Sequence, residues 1–505
     1  MSRSGEPAAS AAEPIGLVTE EAAEPAVGTA EGSGVEDATT SSGSWWSINA
    51  VLAMGCALLG LRAGLAPLGD NSFFTHLSTG RLILDERSVP TTDPYSFMAP
   101  GESWVVQSWL ASVVYAAAER VDGLFGIRVV VAATLAALSA LVWRLTRPAT
   151  MLLGRVAGAA VGLLVSAPVW NERPQVFGLV FLVLVLLAAE GGMDPRWLVP
   201  VMWLWVNMHG GFVFGGLVLG LLVVGRILDR QPLGSEWLAA RWAALGVALA
   251  VINPLGLRLL LFPLGVLERR EVFTFMTEWQ APGWDTWNQR LFAVQVILTL
   301  VVLLVRRRRW RWILPTLVFA VAAATSVRNI APASLVMVPA LAHGLAGMGS
   351  IDGRRRSPLV RPAVAALACL GLVMVLFART TPHTDESLYP VDAITWMEEE
   401  GMLDLSSRVV SRDFVGNYMH ARFGPDRVRT YIDDRVDMHP IDLIDDYVEL
   451  LNDPEADFAA ILDRAQATSV VWKNDTDLSR WVASSADWTV VHEDEEWFVA
   501  VPDAG

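Results

Sequence analysis

The sequence predicts a polytopic α-helical membrane protein of about eleven transmembrane helices, followed by a soluble C-terminal α/β domain. Its 505 residues are 53% hydrophobic with a mean hydropathy of +0.41, and the apolar residues gather into runs near the ~20 residues that cross a bilayer. Many of the 21 tryptophans stand at the ends of these runs, where amphipathic rings favour the headgroup level. After Thr380, short β-rich runs alternate with helical patterns, which is typical of an α/β domain.

Composition divides the chain into three predicted regions. Residues 1–43 are rich in Ala, Glu, Ser and Gly, which predicts a disordered cytoplasmic tail. Residues 44–380 form the predicted transmembrane domain with a long first outer loop at 69–122, and residues 381–505 form a predicted extracytoplasmic α/β domain. The predicted spans are 47–68, 124–146, 150–168, 174–190, 196–208, 211–229, 238–254, 290–305, 310–326, 329–347 and 361–378.

The apolar segment 104–119 decides the predicted orientation. It is short and contains Gln107 and Ser108. If it stays in the outer interface, the N-terminus is cytoplasmic, the C-terminal domain is extracytoplasmic, and every strong arginine cluster lies on the cytoplasmic side. These clusters are Arg144/Arg147/Arg155, Arg226/Arg230/Arg241, Arg306–Arg309 with Arg311, and Arg354–Arg356 with Arg361.

Charge and cysteine content restrict the partners. The net charge is −15, and the acidic residues concentrate in the N-terminal tail and the C-terminal domain, which argues against nucleic acid as a partner. Cys56 and Cys369 both lie in apolar spans, so the sequence has no disulfide framework. The lipid bilayer is therefore the partner that composition itself indicates.

In this orientation the unusual polar motifs all fall on the outer face. Polar groups at membrane depth are costly and tend to persist where they face a functional pathway, so their collection predicts a single outward-facing cleft. The motifs are Asp70-Asn71, Asn171–Gln175, Asn207–Gly211, Asn253-Pro254, Glu278–Gln280 and Arg328-Asn329.

The first outer loop contains the candidate catalytic residue. Asp70 either caps an amphipathic helix over residues 72–86 or acts as a general base or metal ligand, since partial desolvation raises the basicity of a carboxylate. His76 is interpreted as an interfacial histidine, with a role in the cleft as the alternative. Asp93 precedes Pro94, a pair that favours a turn.

Arginines at the outer face are candidate phosphate ligands. Glu172 precedes Pro174 at a helix start, where a carboxylate favours the positive helix N-terminus. This leaves Arg173 without a structural account, and its planar guanidinium suits bidentate binding of a lipid phosphate. The same reasoning applies to Arg269, Arg270 and Arg328.

Two further motifs allow both structural and functional interpretations. Gly210-Gly211 predicts a helical hairpin, in which Asn207 and His209 cap the break between two spans. The run 431–438 places three carboxylates and Arg435 just after a predicted strand at 428–432, where ligands of open α/β sheets bind. A salt-bridge network explains that run equally well.

The membrane half, about residues 45–380, resembles the GT-C superfamily of membrane glycosyltransferases. The similarity rests on Asp70 opening a long first outer loop, interfacial helices at 72–86 and 104–119, and the APVWNERPQ segment before an outer turn. Five motifs also resemble a bacterial family of GT-C-like membrane proteins whose activity is poorly defined. They are residues 70–81, Arg173-Pro-Gln, Asn207-Met-His-Gly-Gly, Asn253-Pro-Leu-Gly and Asp434-Arg-Val-Asp-Met.

The resemblance implies a glycosyltransferase in the bacterial plasma membrane that moves a sugar from a polyprenyl-phosphate donor to an envelope acceptor. Asp70 would be the base, or the ligand of a divalent cation as candidate cofactor. Several relatives pair two adjacent acidic residues here, whereas Asn71 follows Asp70, so Glu172, Asp93 or Glu278 would supply the second carboxylate. The alternatives are a non-catalytic envelope assembly protein and a transporter of lipid-linked saccharides.

Overall fold

A computed structural model describes residues 47–273, 275–307, 309–347 and 358–503. The predicted disordered tail at 1–43 and the arginines 308 and 354–356 lie outside these ranges. The described chain belongs to one compact unit, Trp46–Gly505.

Thirteen helices precede the C-terminal region in the described ranges, with short 3-10 turns between some of them. They are α1 Ile48–Gly64, α2 Phe73–Glu86, α3 Trp109–Leu145, α4 Leu152–Ser166, α5 Gln175–Ala189, α6 Leu198–Met208, α7 Val213–Leu228, α8 Ser235–Leu249, α9 Leu257–Glu268, α10 Trp287–Val305, α11 Trp310–Thr325, α12 Ile330–Gly344 and α13 Val360–Arg379. The 3-10 turns are Ala167–Val169, Pro195–Trp197, Gly210–Phe212, Arg270–Phe273, Thr277–Trp279 and Val327–Asn329.

Each of the eleven predicted spans coincides with a helix. Five described helical segments are long and apolar enough to cross a membrane: Trp109–Leu145, Leu152–Val169, Gly210–Leu228, Trp287–Val305 and Val360–Arg379. Helix α6 has 11 residues, or about 16 Å at 1.5 Å per residue, which is well short of the ~30 Å hydrocarbon core. That all eleven segments cross the bilayer stays a prediction.

The long helix α3 is broken at Asp122 and Gly123, whose backbone angles are not helical. Gly123 has φ 58°, in the left-handed region that glycine tolerates. The chain reverses so sharply that a Cβ placed on Gly126 would lie 2.2 Å from the carbonyl oxygen of Ala118. The apolar segment 104–119 and the predicted span 124–146 are therefore separate helical arms, as the predicted topology requires.

This break leads to a direct test of the topology. Positions 123 and 148 flank the second arm of α3, which is about 33 Å long and so long enough to cross the hydrocarbon core. We expect single cysteines introduced at Gly123 and Pro148, in a background lacking Cys56 and Cys369, to react with an impermeant thiol reagent from opposite sides. The Gly123→Cys variant should react from outside in intact cells. Reaction of both variants from one side would contradict the topology.

Helices α5 and α12 lie in the middle of the helical bundle, where nearly all of their side chains are buried. Helix α1 packs closely on α3: a Cβ placed on Gly60 or Gly64 would clash with the α3 backbone at Leu135 or Ala132. Small residues one turn apart allow such close approach between membrane helices. The side chains of α13 are mostly exposed, as expected where a helix faces lipid.

Helix α9 was not predicted from the sequence. Its leucines at 257, 261, 264 and 267 are each at least half exposed and repeat at helical spacing, so they form an apolar outer stripe. The helix leads directly into the segment 269–280, which contributes to the site described below.

The C-terminal region consists of helices around a four-stranded sheet of order β1-β2-β4-β3. Strands β1 and β2 are parallel, and the other two pairs are antiparallel. The elements are α14 Val391–Glu399, β1 Val409–Ser411, α15 Asp413–Phe423, α16 Ile441–Asn452, α17 Phe458–Ala465, β2 Ser469–Lys473, α18 Asp477–Ser484, β3 Trp488–Glu493 and β4 Trp497–Pro502.

The prediction of a strand at 428–432 was wrong in one respect. This segment is extended but is not one of the four strands of the sheet; Thr430 instead forms isolated parallel bridges to Ser96 of the first loop and to Val409. The apolar alternation reflects burial against the first loop, which a strand pattern cannot distinguish from burial within a sheet. The segment thereby joins the C-terminal region to the membrane half.

Candidate functional site

Asp70 follows α1 and pairs with Arg173, which precedes α5. The Nε of Arg173 lies 2.7 Å from each carboxylate oxygen of Asp70. The same carboxylate also accepts hydrogen bonds from the Asn171 side-chain amide and from both the backbone amide and the hydroxyl of Ser72. Four donor groups therefore surround this carboxylate and fix its orientation.

Glu172 holds the backbone of the loop that contains Asp70. Its Oε1 accepts hydrogen bonds from the backbone amides of Gly69 at 2.5 Å and Asp70 at 2.6 Å. Burial raises the pKa of Glu172, although these amide bonds act in the opposite direction. The sequence placed Glu172 among the candidate catalytic residues; its contacts are those of a residue that positions Asp70.

Arg173 connects three separate segments of the chain. Besides Asp70, it donates from Nη2 to Asn71 at 2.8 Å and from Nη1 to Glu278 at 2.7 Å. The loop around Glu278 is itself fixed, because Ser326 donates its hydroxyl to the Glu278 carbonyl oxygen at 3.0 Å. The C-terminal ends of α1, α4 and α11 are thus drawn together around one guanidinium.

Arg328 provides a second guanidinium beside the first. Its Cζ lies 4.1 Å from the ring centre of Trp279, a cation–π contact. Its side chain is half-buried, and no hydrogen bond or ion pair engages it within the described residues. Burial lowers the pKa of Arg328, with Arg173 acting in the same direction and Glu278 opposing it. Its N–H donors are therefore available to an anionic ligand.

Two histidines lie close to these charges. Burial lowers the pKa of His76 to about 4, with Asp70 opposing and Arg173 adding to the shift. Burial lowers the pKa of His209 to about 3, and Arg328 and His76 add to that shift. Both rings are neutral at pH 7. His209 Nδ1 accepts from the Gly211 amide at 3.0 Å, which assigns its proton to Nε2.

The remaining sequence candidates make structural contacts. Asn207 is fully buried between Trp109 and the carbonyl oxygen of Trp203, and His209 caps the turn after α6, as the hairpin interpretation predicts. Arg269 donates to the carbonyl oxygens of Asp437 and His439, both at 2.5 Å, and Arg270 is exposed. Arg269 therefore holds the backbone of segment 437–439 in place.

The C-terminal region contributes Asp434, which the sequence did not assign to the site. Asp434 Oδ1 lies 2.8 Å from the Thr75 hydroxyl, and the charge of Arg173 affects its titration. Asn417 of α15 completes the junction, since its amide donates to the Asn71 carbonyl oxygen at 2.7 Å. The signal for Asp434 was present in the Asp434-Arg-Val-Asp-Met motif, but no local pattern indicates a partner more than 350 residues away.

The contacts of Thr75 indicate that Asp434 is protonated. The Thr75 hydroxyl has one proton but lies 2.6 Å from Asn417 Oδ1 and 2.8 Å from Asp434 Oδ1. The Asn417 orientation is fixed because its nitrogen donates to Asn71, so Thr75 faces two acceptor oxygens. Both contacts are satisfied when Thr75 donates to Asn417 and a neutral Asp434 donates to Thr75.

The electrostatic environment of Asp434 agrees with this assignment. Burial raises the pKa of Asp434 to about 8, with further increases from Asp433 and Asp413, whereas Thr75 and Arg173 act to lower it. The side chain nevertheless keeps a solvent-accessible fraction. A partly accessible carboxyl group that titrates near neutral pH has the properties of a general acid or base.

A second charged network lies behind Asp434. Arg435 pairs with Asp433 at 2.5 Å and with Asp93 of the first loop at 2.6 Å. Its guanidinium lies 4.8 Å from the ring centre of Tyr95 and 4.5 Å from that of Trp104. Burial would raise the pKa of Asp433, but Arg435 brings it well below the ordinary value. The salt-bridge interpretation of this part of the motif is the one that the contacts favour.

We expect Arg435→Met to destabilise the protein strongly. Arg435 is 5% exposed, and the apolar replacement leaves Asp93 and Asp433 buried without their counter-charge, at a cost of about 3–5 kcal/mol. Thermal unfolding of the detergent-solubilised protein measures the effect. The matched control is Arg427→Met, because Arg427 pairs with Glu398 at the surface, where such pairs contribute at most about 1 kcal/mol. Equal melting temperatures for the two variants would contradict the proposed network.

A cavity of about 240 Å³ adjoins Asp70 at the outer end of α1. Asp70, Asn171, Glu172 and Trp170 supply its polar lining, and the indole N–H of Trp170 is buried without a hydrogen-bond partner. We name the combined region around Asp70, Arg173, Glu278, Arg328 and Asp434 the outer cleft.

The carboxylates of the outer cleft do not fit a metal centre in this arrangement. The Nε of Arg173 occupies the position beside both Asp70 oxygens that a cation would take. Across the described ranges, no group of three His, Cys, Asp or Glu side chains is arranged to hold an ion. We therefore derive no catalytic step through a metal.

Comparison with known proteins identifies the fold. No protein-family model matches the chain, and no curated protein matches it. Among solved structures, the oligosaccharyltransferase of Archaeoglobus fulgidus in its apo form has a TM-score of 0.56 at 11% identity, covering 85% of this chain and 70% of that one. A mycobacterial arabinofuranosyltransferase, AftD, has a TM-score of 0.49 at 15% identity, covering 90% of this chain and 40% of that one.

The apolar helices and the fold shared with the oligosaccharyltransferase indicate a multi-pass membrane protein with a GT-C fold, which agrees with the resemblance drawn from the sequence at the level of the fold alone. The chain spans less than half the length of the arabinofuranosyltransferase. At these levels of identity the similarity establishes the fold, and the chemistry has to be argued from the outer cleft.

Proposed function

We propose that this protein is a membrane glycosyltransferase that moves a sugar from a polyprenyl-phosphate donor to an envelope acceptor at the outer face of a bacterial plasma membrane. One observation carries the proposal. On a GT-C fold, the outer cleft contains a guanidinium with unused donors, Arg328, and an accessible carboxyl group of raised pKa, Asp434, and each of them lies within reach of the charge of Arg173. Arg173 links the two, since its charge acts on both groups.

The donor phosphate would bind at Arg328. As the bond between the sugar C1 and the phosphate oxygen breaks, negative charge develops on the phosphate, and a positioned guanidinium stabilises that charge. Trp279 contacts the Arg328 guanidinium, whose N–H donors have no hydrogen-bond partner among the described residues. Three of the five N–H groups of Arg173 are used by Asp70, Asn71 and Glu278, which fixes its positive charge beside the phosphate.

Asp434 would accept the proton of the acceptor hydroxyl. In its ionised form it can accept the Thr75 hydroxyl proton, which otherwise goes to Asn417, and it leaves lone pairs unoccupied. The oxygens of Asp70 instead accept hydrogen bonds from four donor groups. The acceptor oxygen forms the new bond to C1 as its proton moves to Asp434. Polyprenyl phosphate leaves with the electrons of the broken bond. The expectation that Asp70 is the base is therefore replaced by the proposal that Asp70 positions Arg173.

The test measures the product common to all such donors. The purified protein in lipid nanodiscs is given a panel of polyprenyl-monophosphate sugars with an envelope glycan extract as acceptor, and released polyprenyl phosphate is quantified. We expect release with at least one donor, dependent on the glycan and lost in Arg328→Ala. Absence of release across the panel, with a protein that still binds polyprenyl phosphate, would favour the envelope assembly function instead.

A further inference from the structure

A second cavity, of about 270 Å³, lies at the opposite end of the helical bundle from the outer cleft. Four helices connect the two places. Helix α5 begins after Arg173 and ends before Glu190, and α11 begins after Arg309 and ends before Ser326. Helix α7 begins after His209 and has Arg226 in its last turn, and α12 begins after Arg328 and has His343 in its last turn. Each begins beside one cavity and ends beside the other, so the two lie about one helix length apart, ~20–25 Å. Seven residues line this second cavity, which we name the arginine pocket: Arg226, Arg306, Arg307, Arg309, Arg311, Trp312 and His343.

Two of the five arginines are neutralised within the protein. Arg226 pairs with Glu236 at 2.8 Å, and Arg311 pairs with Glu190 at 2.7 Å and with Glu236 at 3.4 Å. Glu190 also contacts His343. One more carboxylate lies nearby, but Asp229 accepts the backbone amides of Trp310 and Arg311 at the start of α11.

Three arginines of the pocket have no ion-pair partner among the described residues. No hydrogen bond or ion pair engages the side chains of Arg306, Arg307 and Arg309 in the part of the chain that the structure describes, and all three are exposed. Deeper in the pocket, the Nε of Arg311 is buried without a partner. Among the described residues, the five guanidinium groups that line the cavity and the carboxylates of Glu190, Glu236 and Asp229 sum to a net charge of +2.

The surroundings of the pocket are apolar. Leu304 and Val305, at the end of α10, are 64% and 75% exposed, and Trp310 at the start of α11 is 47% exposed. Apolar side chains beside basic ones at a helix end are typical of the interface between hydrocarbon and headgroups. A ligand held here would have an anionic part in the pocket and an apolar part against these side chains.

We propose that the arginine pocket binds the phosphate headgroup of an anionic phospholipid. The three uncompensated guanidinium groups supply the donors and charge for the phosphodiester, and the exposed Leu304, Val305 and Trp310 contact the acyl chains. By the distribution of arginine, this end of the bundle faces the cytoplasm, so the lipid belongs to the inner leaflet. The site is separate from the outer cleft and does not depend on the proposed transferase activity.

The test is an equilibrium titration of the delipidated full-length protein in detergent with dioctanoyl phosphatidylglycerol, and with dioctanoyl phosphatidylcholine as the zwitterionic control. The variant Arg306→Gln/Arg307→Gln/Arg309→Gln should bind phosphatidylglycerol about 100-fold more weakly at low ionic strength, since each arginine near an anionic headgroup contributes roughly a factor of five. No hydrogen bond or ion pair holds these side chains among the described residues, so the variant should keep its melting temperature and its elution volume.

The matched control removes the same charge from the same end of the bundle outside the pocket: Arg147→Gln/Arg196→Gln/Arg241→Gln. All three side chains are exposed, and none of them lines the cavity. We expect this variant to bind phosphatidylglycerol within twofold of the wild type. Equal losses in both triple variants would overturn a specific site in favour of general surface charge. Inorganic phosphate that competes as strongly as the lipid would overturn the phospholipid as the source of the phosphate.

Discussion

Asp434→Asn is expected to lower the rate of sugar transfer about 10²–10⁴-fold, the usual cost of removing a positioned general base. The replacement has nearly the same shape and can still hydrogen-bond to Thr75, but it cannot take up a proton. Donor binding should change little because Arg328 is untouched. Release of polyprenyl phosphate under saturating donor measures the loss.

The matched control for this variant is Asp437→Asn, three residues away in the same motif. Arg269 contacts the backbone carbonyl oxygen of residue 437 and not its side chain, so the substitution preserves that contact. We expect Asp437→Asn to retain transfer within a few-fold of the wild type. Equal losses at both positions would indicate that the motif acts through folding alone.

The pH dependence of the wild type gives an independent readout. Because the pKa of Asp434 is raised to about 8, the ionised base becomes populated as pH rises from 6 to 9, and transfer should increase over that range. The same pKa shift has the opposite effect on folding stability, which falls as pH rises. A carboxyl group whose folded-state pKa exceeds its unfolded value of about 3.9 favours folding most below pH 4, and this contribution is lost as pH rises through 8. Asp434→Asn should therefore melt at a higher temperature than the wild type at pH 9, with the difference disappearing near pH 4.

Arg328→Ala is expected to lower kcat/KM for the donor about 10²–10³-fold, comparable with the removal of one preorganised donor to a developing oxyanion. Arg328→Lys should recover part of this loss, since an ammonium restores the charge but not the planar pair of donors or the contact with Trp279. The measurement is the initial rate of polyprenyl phosphate release over a range of donor concentrations.

Arg270→Ala serves as the control for Arg328. The sequence predicted phosphate binding for both arginines. Arg270 is exposed on a 3-10 turn, whereas Arg328 is half-buried beside Arg173 and Glu278. We expect Arg270→Ala to leave the donor kinetics unchanged. A larger loss at Arg270 than at Arg328 would move the phosphate site to the turn after α9.

Much of the fold was predictable because hydrophobic periodicity and length are local properties. All eleven predicted spans are helical, and the GT-C resemblance is confirmed at the level of the fold. The convergence of polar motifs was predictable for Asp70, Arg173, Glu278 and Arg328, since helix ends on one face of a bundle must lie near one another. Helix α9 was missed because its leucine stripe is too short to register as a span.

The roles of individual residues in the outer cleft could be predicted less well from the sequence. Arg173 was expected to bind phosphate, but each of its three nitrogens already donates to Asp70, Asn71 or Glu278, which are 100 or more residues away in the chain. Asp434 was left outside the site because its partner Thr75 lies in the first loop. Such pairs depend on tertiary contact alone, and neither composition nor spacing indicates them.

The most direct test of the proposed function is a cryo-EM structure of the protein in nanodiscs with bound polyprenyl phosphate. We expect phosphate density within hydrogen-bonding distance of the Arg328 guanidinium, with the Asp434 carboxyl group facing the space where the sugar would be. Arg173 should remain paired with Asp70. Phosphate density bound elsewhere, with the outer cleft filled only by water, would contradict the central claim.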